Sequence, residues 1–372
     1  MHILVTGADG FIGKNLTTRL RELEIPFDIF IRSTPKYKLE TLIKKSNFII
    51  HLAGENRPKD SSEFEKNNIE LTALICRTIK KVGEKKDLIF ASSTQAGLNN
   101  PYGESKLAAE SVILEYQAQS YLNLYLYRLP GVFGKWCRPN YNSVVATYCY
   151  NLIHNIPIRI DDKEKKLSLV YIDDVIDEFV STILGHREGK KDLIVKPINY
   201  IALNDLAIQI KRFKDSRVNL ISEKVGEGLT RKLYSTYMSY LPTNEFCYSL
   251  TSHEDERGIF TEILKTKDTG QFSVFTANIG VTRGGHYHHS KTEKFIVIQG
   301  EAKFQFRNIN TNEFYEVKVG CSSLKVVETI PGWSHDITNI GKEKLIVILW
   351  TNEIFDPDNP DTIKSKVEQK SI

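Results

Sequence analysis

Tyr102 and Lys106 stand four residues apart in Tyr102-Gly103-Glu104-Ser105-Lys106, a stretch that reads as the opening of a helix. That spacing sets a phenol and an ammonium on one helix face. There the cation can lower the phenol pKa, and the phenol can pass a proton to a carbonyl oxygen. Upstream, Ser92-Ser93-Thr94 ends the strand-like run DLIFASS. A serine hydroxyl at that strand end can orient the same carbonyl. Tyrosine and lysine at this spacing are common on solvated helices, so their meaning depends on what precedes them. At the start of the chain, Gly7-Ala8-Asp9-Gly10-Phe11-Ile12-Gly13 joins HILVT to the amphipathic KNLTTRLREL. A strand-to-helix turn rich in glycine lets the backbone approach a pyrophosphate at the helix N-terminus. Gly7, Gly10, Phe11, Ile12 and Gly13 are therefore expected against a dinucleotide, with Tyr102, Lys106 and a serine of Ser92-Ser93 handling the proton of a hydride transfer.

A second constellation lies far downstream. Gly280, His286, His288, Glu293 and Gly300 follow G(X)5HxH(X)4E(X)6G. Residues two apart on a strand face one side, so His286 and His288 converge, and Glu293 is expected from the paired strand to complete three ligands of a divalent metal. Pro331-Gly332-Trp333-Ser334-His335 offers His335 as a fourth. Mixed nitrogen and oxygen ligation fits Zn²⁺, Mn²⁺, Fe²⁺ or Ni²⁺, and zinc is the expected ion. The spacing resembles the first cupin motif at every fixed position. The second cupin motif matches less well, with Lys325 where a glycine is expected and Pro331 and Gly332 adjacent.

These residues need elements to hold them. Up to about residue 200, apolar β-branched runs (HILVTG, FDIFIR, NFIIHLAG, DLIFAS, LNLYLYRL) alternate with stretches of helical length, which predicts a parallel sheet covered by helices on both faces. The second run ends in Arg32, where an NAD site usually offers a carboxylate. Arginine suits a 2′-phosphate, so NADPH is the expected cofactor. The third run ends in Leu52-Ala53-Gly54, a small-residue turn able to pass under that cofactor. From about 250, dense short strands (FSVFTANIG, KFIVIQGEAKFQF, FYEVKV, KLIVILW) predict an all-β barrel or sandwich. The expected domains are 1–243 and 244–372.

Composition narrows the class. With 41% hydrophobic and 26% charged residues, the 372-residue chain can build two real cores. Its net charge of +4 is spread along the sequence, which argues for solvated faces and against a nucleic-acid surface. Five dispersed cysteines without CxxC spacing fit reduced thiols. MHILVTG lacks the pattern of a signal peptide and no apolar run is long enough to span a bilayer, so a cytoplasmic protein without membrane partners is expected.

Glycine turn, Ser93 and YxxxK, joined by Arg128-Leu129-Pro130-Gly131-Val132-Phe133-Gly134 and Leu169-Val170-Tyr171-Ile172-Asp173-Asp174-Val175, resemble the extended short-chain dehydrogenase/reductase family over roughly the first 180 residues. The resemblance implies a Rossmann-like doubly wound domain, with the family's catalytic serine falling on Ser93 and Thr94 as its substitute. It also implies a sugar-nucleotide pocket along 135–142, with Arg138, Asn140 and Asn142 as candidate substrate residues. A reductase of this kind followed by a cupin jelly roll resembles the CapF-type fusions of bacterial capsule and O-antigen biosynthesis. That resemblance implies a homodimer that takes the UDP-linked 4-keto sugar UDP-2-acetamido-2,6-dideoxy-β-L-arabino-hexos-4-ulose toward UDP-N-acetyl-L-fucosamine, with C3 epimerised at the cupin and the C4 ketone reduced by NADPH. The alternative is a nucleotide-sugar epimerase or dehydratase whose cupin serves dimerisation alone. The base for C3 is open among Tyr287, His289 and Lys294.

Overall fold

The computed structural model describes residues 1–186, 193–255, 258–261, 264–266, 270–353 and 358–367. Met1–Val144 with Lys166–Ile201 forms one compact unit, and Val145–Lys165 with Ala202–Ile372 a second. Among the described residues no helix is long and apolar enough to cross a membrane.

The first unit alternates strand and helix: β1 (Ile3–Thr6), α1 (Phe11–Glu22), β2 (Phe27–Phe30), α2 (Lys38–Lys45), β3 (Phe48–His51) and α3 (Ser62–Phe64). After a π-helical stretch (Glu65–Glu70) come α4 (Leu71–Val82), β4 (Lys86–Ser93), α5 (Pro101–Ala118) and β5 (Leu122–Leu129). The five strands pair in parallel in the order β2-β1-β3-β4-β5. Burial on both faces explains why their cores read as unbroken apolar runs: Ile3, Leu4, Val5, Ile49, Ile50, Leu88 and Ile89 are fully enclosed. Leu39 and Ile43 of α2, Ile75 and Ile79 of α4, and Ile113 of α5 pack with Leu4, Ile49 and Leu88. Sequence order reverses at β1, whose neighbour β3 starts the other half of the sheet. The turns after β1 and β3, both expected to cradle the cofactor, therefore open at the C-terminal edge of this switch point, where such sheets bind ligands. A small sheet of β6 (Gly131–Phe133), β7 (Lys166–Tyr171) and β8 (Asn199–Ala202), with α7 (Ile172–Ile183), completes the unit.

The second unit holds α6 (Val144–Ile153), α8 (Leu203–Asn219), α9 (Gly228–Met238) and two five-stranded sheets. One sheet contains β10 (Cys247–Ser249), β14 (Gln271–Ala277), β16 (Glu293–Gln299), β19 (Lys325–Glu328) and β21 (Leu345–Thr351). The other contains β15 (Thr282–Tyr287), β17 (Glu301–Asn308), β18 (Phe314–Gly320), β20 (Trp333–Asn339) and β22 (Ile363–Lys364). Both sheets pair antiparallel throughout. Small pairs form between β9 (Ile221–Ser222) and β13 (Lys265–Thr266), and between β11 (Ser252–Asp255) and β12 (Gly258–Thr261). Inward side chains of the two sheets meet, as where the Phe295 and Phe304 rings lie 5.7 Å apart. The result is the β-sandwich of a cupin-type domain.

Two details depart from the sequence expectations. KFIVIQGEAKFQF is two strands belonging to different sheets, hinged at Gly300. The compact units also divide elsewhere than at 243, because α8 and α9 group with the β-sandwich. Arg217 of α8 and Lys294 of β16 both grip the buried carboxylate of Glu328 on β19, and Asn352 donates to the Val225 carbonyl at 3.3 Å. A buried ion pair of this kind is costly to break, because removing one partner leaves a charge without compensation.

Candidate functional site

The turn after β1 brings the dinucleotide residues together. Gly7 has φ +72°, and a Cβ there would stand 2.6 Å from the Ala53 nitrogen; one on Gly13 would stand 2.2 Å from the Gly7 oxygen. The two cofactor turns therefore pack backbone on backbone, which a side chain would prevent. Helix α1 starts at Phe11 behind Gly10 with no side-chain cap and no acidic residue in its first turn. Its positive end is thus left for an anion.

A buried relay underneath fixes the second turn. The Ala53 amide donates to Thr6 Oγ1 at 3.3 Å, and Thr6 Oγ1 meets His51 Nδ1 at 2.8 Å. On the other side, His51 Nε2 meets Thr72 Oγ1 at 2.9 Å, and Thr72 donates to the Asn68 carbonyl at 2.6 Å. Burial, followed by the nearby Lys106 charge, pushes the His51 pKa down to about 3, so this imidazole is a neutral connector. The Asn68 side chain clasps both backbone groups of Glu55 and donates to Ser105 Oγ at 2.9 Å, tying the turn after β3 to α5. Thr6, His51, Asn68 and Thr72 carry no motif, and sequence reasoning missed their role.

Helix α5 then delivers Tyr102. Asn100 caps it by accepting from the Gly103 amide at 2.9 Å, and Pro101 takes the first helical position. A Cβ on Gly103 would lie 2.4 Å from the Gln95 carbonyl, so the helix start is pressed onto the turn after β4. This contact brings Tyr102 near Ser93, whose hydroxyl favours the ionised phenol. The neighbouring Ser92 is taken up by Glu110, and Glu110 by Arg128 at 2.6 Å, so Ser93 is the serine that faces the tyrosine. Lys106 is buried and donates to the Ala91 carbonyl at 3.1 Å; burial lowers its pKa to about 8. Burial pushes the Tyr102 phenol up and the Ser93 hydroxyl offsets part of this, so the hydroxyl keeps its proton until a carbonyl takes it.

Strand β2 ends at Phe30, so Arg32 sits beyond it in a turn closed by Thr34. Its side chain is 82% exposed, and it pairs with Glu55 at 3.2 Å, beside Gly54. The other Glu55 oxygen accepts from Tyr141 at 2.6 Å, which anchors the 135–142 loop beside the same turn. In that loop Arg138, Asn140 and Asn142 are all exposed, with the Arg138 guanidinium over the Tyr141 ring. Lys135 is buried on Asp173 at 2.6 Å and acts as a brace for the loop.

In the second unit His286, His288, Glu293 and His335 come together with all four ligand atoms within 4.8 Å of one another. A bulge between Gly284 and His286 re-aims β15 so that His286 stands opposite His335 on β20. Glu293 does not come from a strand paired with β15, as the sequence suggested. The chain crosses between sheets at 288–292, and Glu293 opens β16 in the facing sheet. Its Oε2 lies 3.2 Å from His288 Nε2 and 3.3 Å from His335 Nε2. Burial and the adjoining imidazoles push His286 down to about 4, and burial lowers His335, so lone pairs stay available. Burial opposes ionisation of Glu293, but the imidazoles hold its pKa well below the usual carboxylate range. Three imidazoles around one buried carboxylate form a donor set that fits a divalent cation. Alternation turns Tyr287 away from the cluster, and Lys294 points to the far side of its sheet onto Glu328. The lysine beside the cluster is Lys291, 3.4 Å from Glu293 Oε1.

Residues 3–195 match the NAD dependent epimerase/dehydratase family, and 253–363 match the polysaccharide biosynthesis C-terminal domain. A UDP-2-acetamido-2,6-beta-L-arabino-hexul-4-ose reductase of Pseudomonas aeruginosa is 49% identical over 368 residues, covering 99% of both chains. The crystal structure of the capsular polysaccharide assembling protein CapF of Staphylococcus aureus superposes with TM-score 0.66 at 38% identity, covering 99% of this chain and 100% of that one. Part of the chain also shares its fold with Thermus thermophilus UDP-glucose 4-epimerase bound to NAD (TM-score 0.50, 19% identity, 57% of this chain and 83% of that one). Glycine turn, tyrosine–lysine pair and end-to-end likeness agree: the chain belongs to the NAD dependent epimerase/dehydratase family, in the group that carries a polysaccharide biosynthesis C-terminal domain.

Proposed function

We propose that this chain is an NADPH-dependent reductase of the C4 ketone of UDP-2-acetamido-2,6-dideoxy-β-L-arabino-hexos-4-ulose, and that its β-sandwich epimerises C3 of the same sugar before reduction. The product would be the C3-epimerised, C4-reduced UDP-sugar, on the route toward UDP-N-acetyl-L-fucosamine for capsule or O-antigen assembly, with the enzyme working as a homodimer. The observation that carries the reductase reading is the tyrosine–lysine face of α5, whose buried Lys106 Nζ would lie 3.4 Å from a Cβ on Gly54, in the turn that packs on the Gly7 turn. The full-length likeness to a UDP-sugar 4-keto reductase supports the substrate.

When bound, NADPH supplies the hydride and a divalent metal, zinc in this proposal, supplies positive charge beside an enolate oxygen. The chain's own residues do the rest. Ser93 orients the C4 carbonyl, Tyr102 gives its proton to the C4 oxygen, and Lys106 holds the ribose and stabilises the charge left on the phenol. Arg138, Asn140 and Asn142 face the sugar nucleotide. A C4 ketone acidifies the C3 hydrogen, and reduction removes that ketone and so locks the new configuration. The direct test is stoichiometric oxidation of added NADPH by the keto-sugar. An enzyme that returns its hydride, as an epimerase or dehydratase does, would leave NADPH unchanged and overturn the reading.

Two results are expected along the way. Replacing Arg32 by alanine removes a charge-assisted contact to the 2′-phosphate worth about 1.5 kcal/mol, so NADPH should bind about tenfold more weakly while NADH is unaffected. Titration of kcat/KM checks the Lys106 environment. Its ammonium is present below about pH 8 and lost above, so the profile should fall with unit slope as pH rises through that value.

A further inference from the structure

The last described stretch, 358–367, folds back over the strand that bears His286. β22 pairs with β15 at His286 and Tyr287, and the Ser365 amide donates to the Gly285 carbonyl at 2.8 Å. Further along, the Ser365 carbonyl accepts from Ser334, the Val367 carbonyl accepts from Arg307 at 2.5 Å, and Val367 is fully buried. The strap thus covers one edge of the sheet that carries His286 and His335, two of the four candidate ligands.

Asp361 is where this strap meets the site. One carboxylate oxygen accepts the His289 amide at 2.8 Å. The other accepts the Ser290 and Lys291 amides, both at 2.7 Å, and the Ser290 hydroxyl at 3.0 Å. The Asp361 main-chain carbonyl lies 2.5 Å from His288 Nδ1. A carbonyl can only accept, so Nδ1 carries the hydrogen and the Nε2 lone pair is left to face Glu293 and the cluster. Arg231 of α9 braces the arrangement from outside through Ser290 at 2.7 Å and Glu353 at 2.6 Å.

We propose that Asp361 is a positioning residue of the metal centre, clamping 289–291 by its carboxylate and setting the tautomer and aim of His288 by its carbonyl, so that the C-terminal strap determines metal affinity. The inference rests on the metal-binding reading above. Three consecutive N–H groups need two oxygens free of hydrogen. An asparagine of the same size has only one such oxygen and turns an NH₂ toward donors, so the clamp opens where it adjoins His288. Loss of a partner that orients a ligand typically weakens metal binding by about 10- to 100-fold.

The test compares full-length wild type, Asp361→Asn and Arg307→Ala, measuring Zn²⁺ affinity by competition with a chelator and the unfolding temperature of each metal-free protein. Arg307→Ala loosens the far end of the strap without touching 288–291, so its Zn²⁺ affinity should stay within about twofold of wild type. Asp361→Asn should bind Zn²⁺ about 10- to 100-fold more weakly. If it does not fold, Asp361→Glu, which displaces the two oxygens by one methylene, takes its place and is judged by the same comparison. Unchanged affinity at position 361 overturns the proposal. So do equal losses in both variants that track their unfolding temperatures, since the strap would then act through bulk stability alone. Wild type that fails to bind Zn²⁺ instead removes the metal reading beneath it.

Discussion

Tyr102→Phe should reduce NADPH oxidation by about 10²–10⁴-fold, the span general acid catalysis commonly supplies, while cofactor affinity stays close to wild type. The substitution deletes one hydroxyl. The ring contact with Phe64, the Asn100 cap and the Gly103 packing that place α5 all remain, and none of the glycine-turn residues is touched. Ser93 keeps the Gln95 amide at 3.1 Å. Fluorescence titration with NADPH and a steady-state assay on the same preparation separate binding from chemistry. A variant that keeps more than about a tenth of the rate would show that another group delivers the proton.

His288→Ala should abolish metal retention and C3 epimerisation while leaving reduction in place. Losing a direct ligand costs more than the roughly 10- to 100-fold typical of an orienting partner, so the purified variant is expected to be free of metal by elemental analysis. The fold has support that does not depend on this imidazole. The Glu293 amide and carbonyl both bond Thr329, and the Arg217–Glu328–Lys294 ion pair lies on the other face of the sheet. NADPH would still be consumed, but on the unepimerised sugar, and NMR of the product should show the opposite configuration at C3. A product with wild-type configuration would separate epimerisation from the metal cluster.

What the sequence reveals is what chemistry imposes at short range. A turn that lets backbone approach a pyrophosphate needs Gly7 and Gly13 in one loop, a proton donor and its cation need one helix face, and two imidazoles converging from one strand need spacing of two. Such constraints leave local patterns, so the parallel sheet, the β-sandwich and both candidate clusters are legible from residue order. Partnerships between distant segments leave no such trace. Nothing in FIIHLAG indicates that His51 is a neutral connector between Thr6 and Thr72, and nothing near Asn68 says that it binds Glu55 to Ser105. Asp361 lies 73 residues from His288. Strand alternation was decisive once the register was known. It sends Lys294 to Glu328 and away from Glu293, which removes it from the candidates for the C3 base. That the chain crosses between sheets at 288–292, and so draws Glu293 from the facing sheet, is a matter of topology that spacing alone does not encode.

The division of chemistry between the two clusters is tested most directly by deuterium exchange. The 4-keto sugar is incubated in D₂O without NADPH, and the C3 proton is followed by NMR with wild type, Tyr102→Phe and His288→Ala. The account predicts that deuterium enters C3 with wild type and with Tyr102→Phe at similar rates, because proton exchange beside the ketone does not use the reductase tyrosine. With His288→Ala no exchange should occur. Full exchange catalysed by metal-free His288→Ala would contradict the account, and would leave the β-sandwich a partner in assembly with no catalysis of its own.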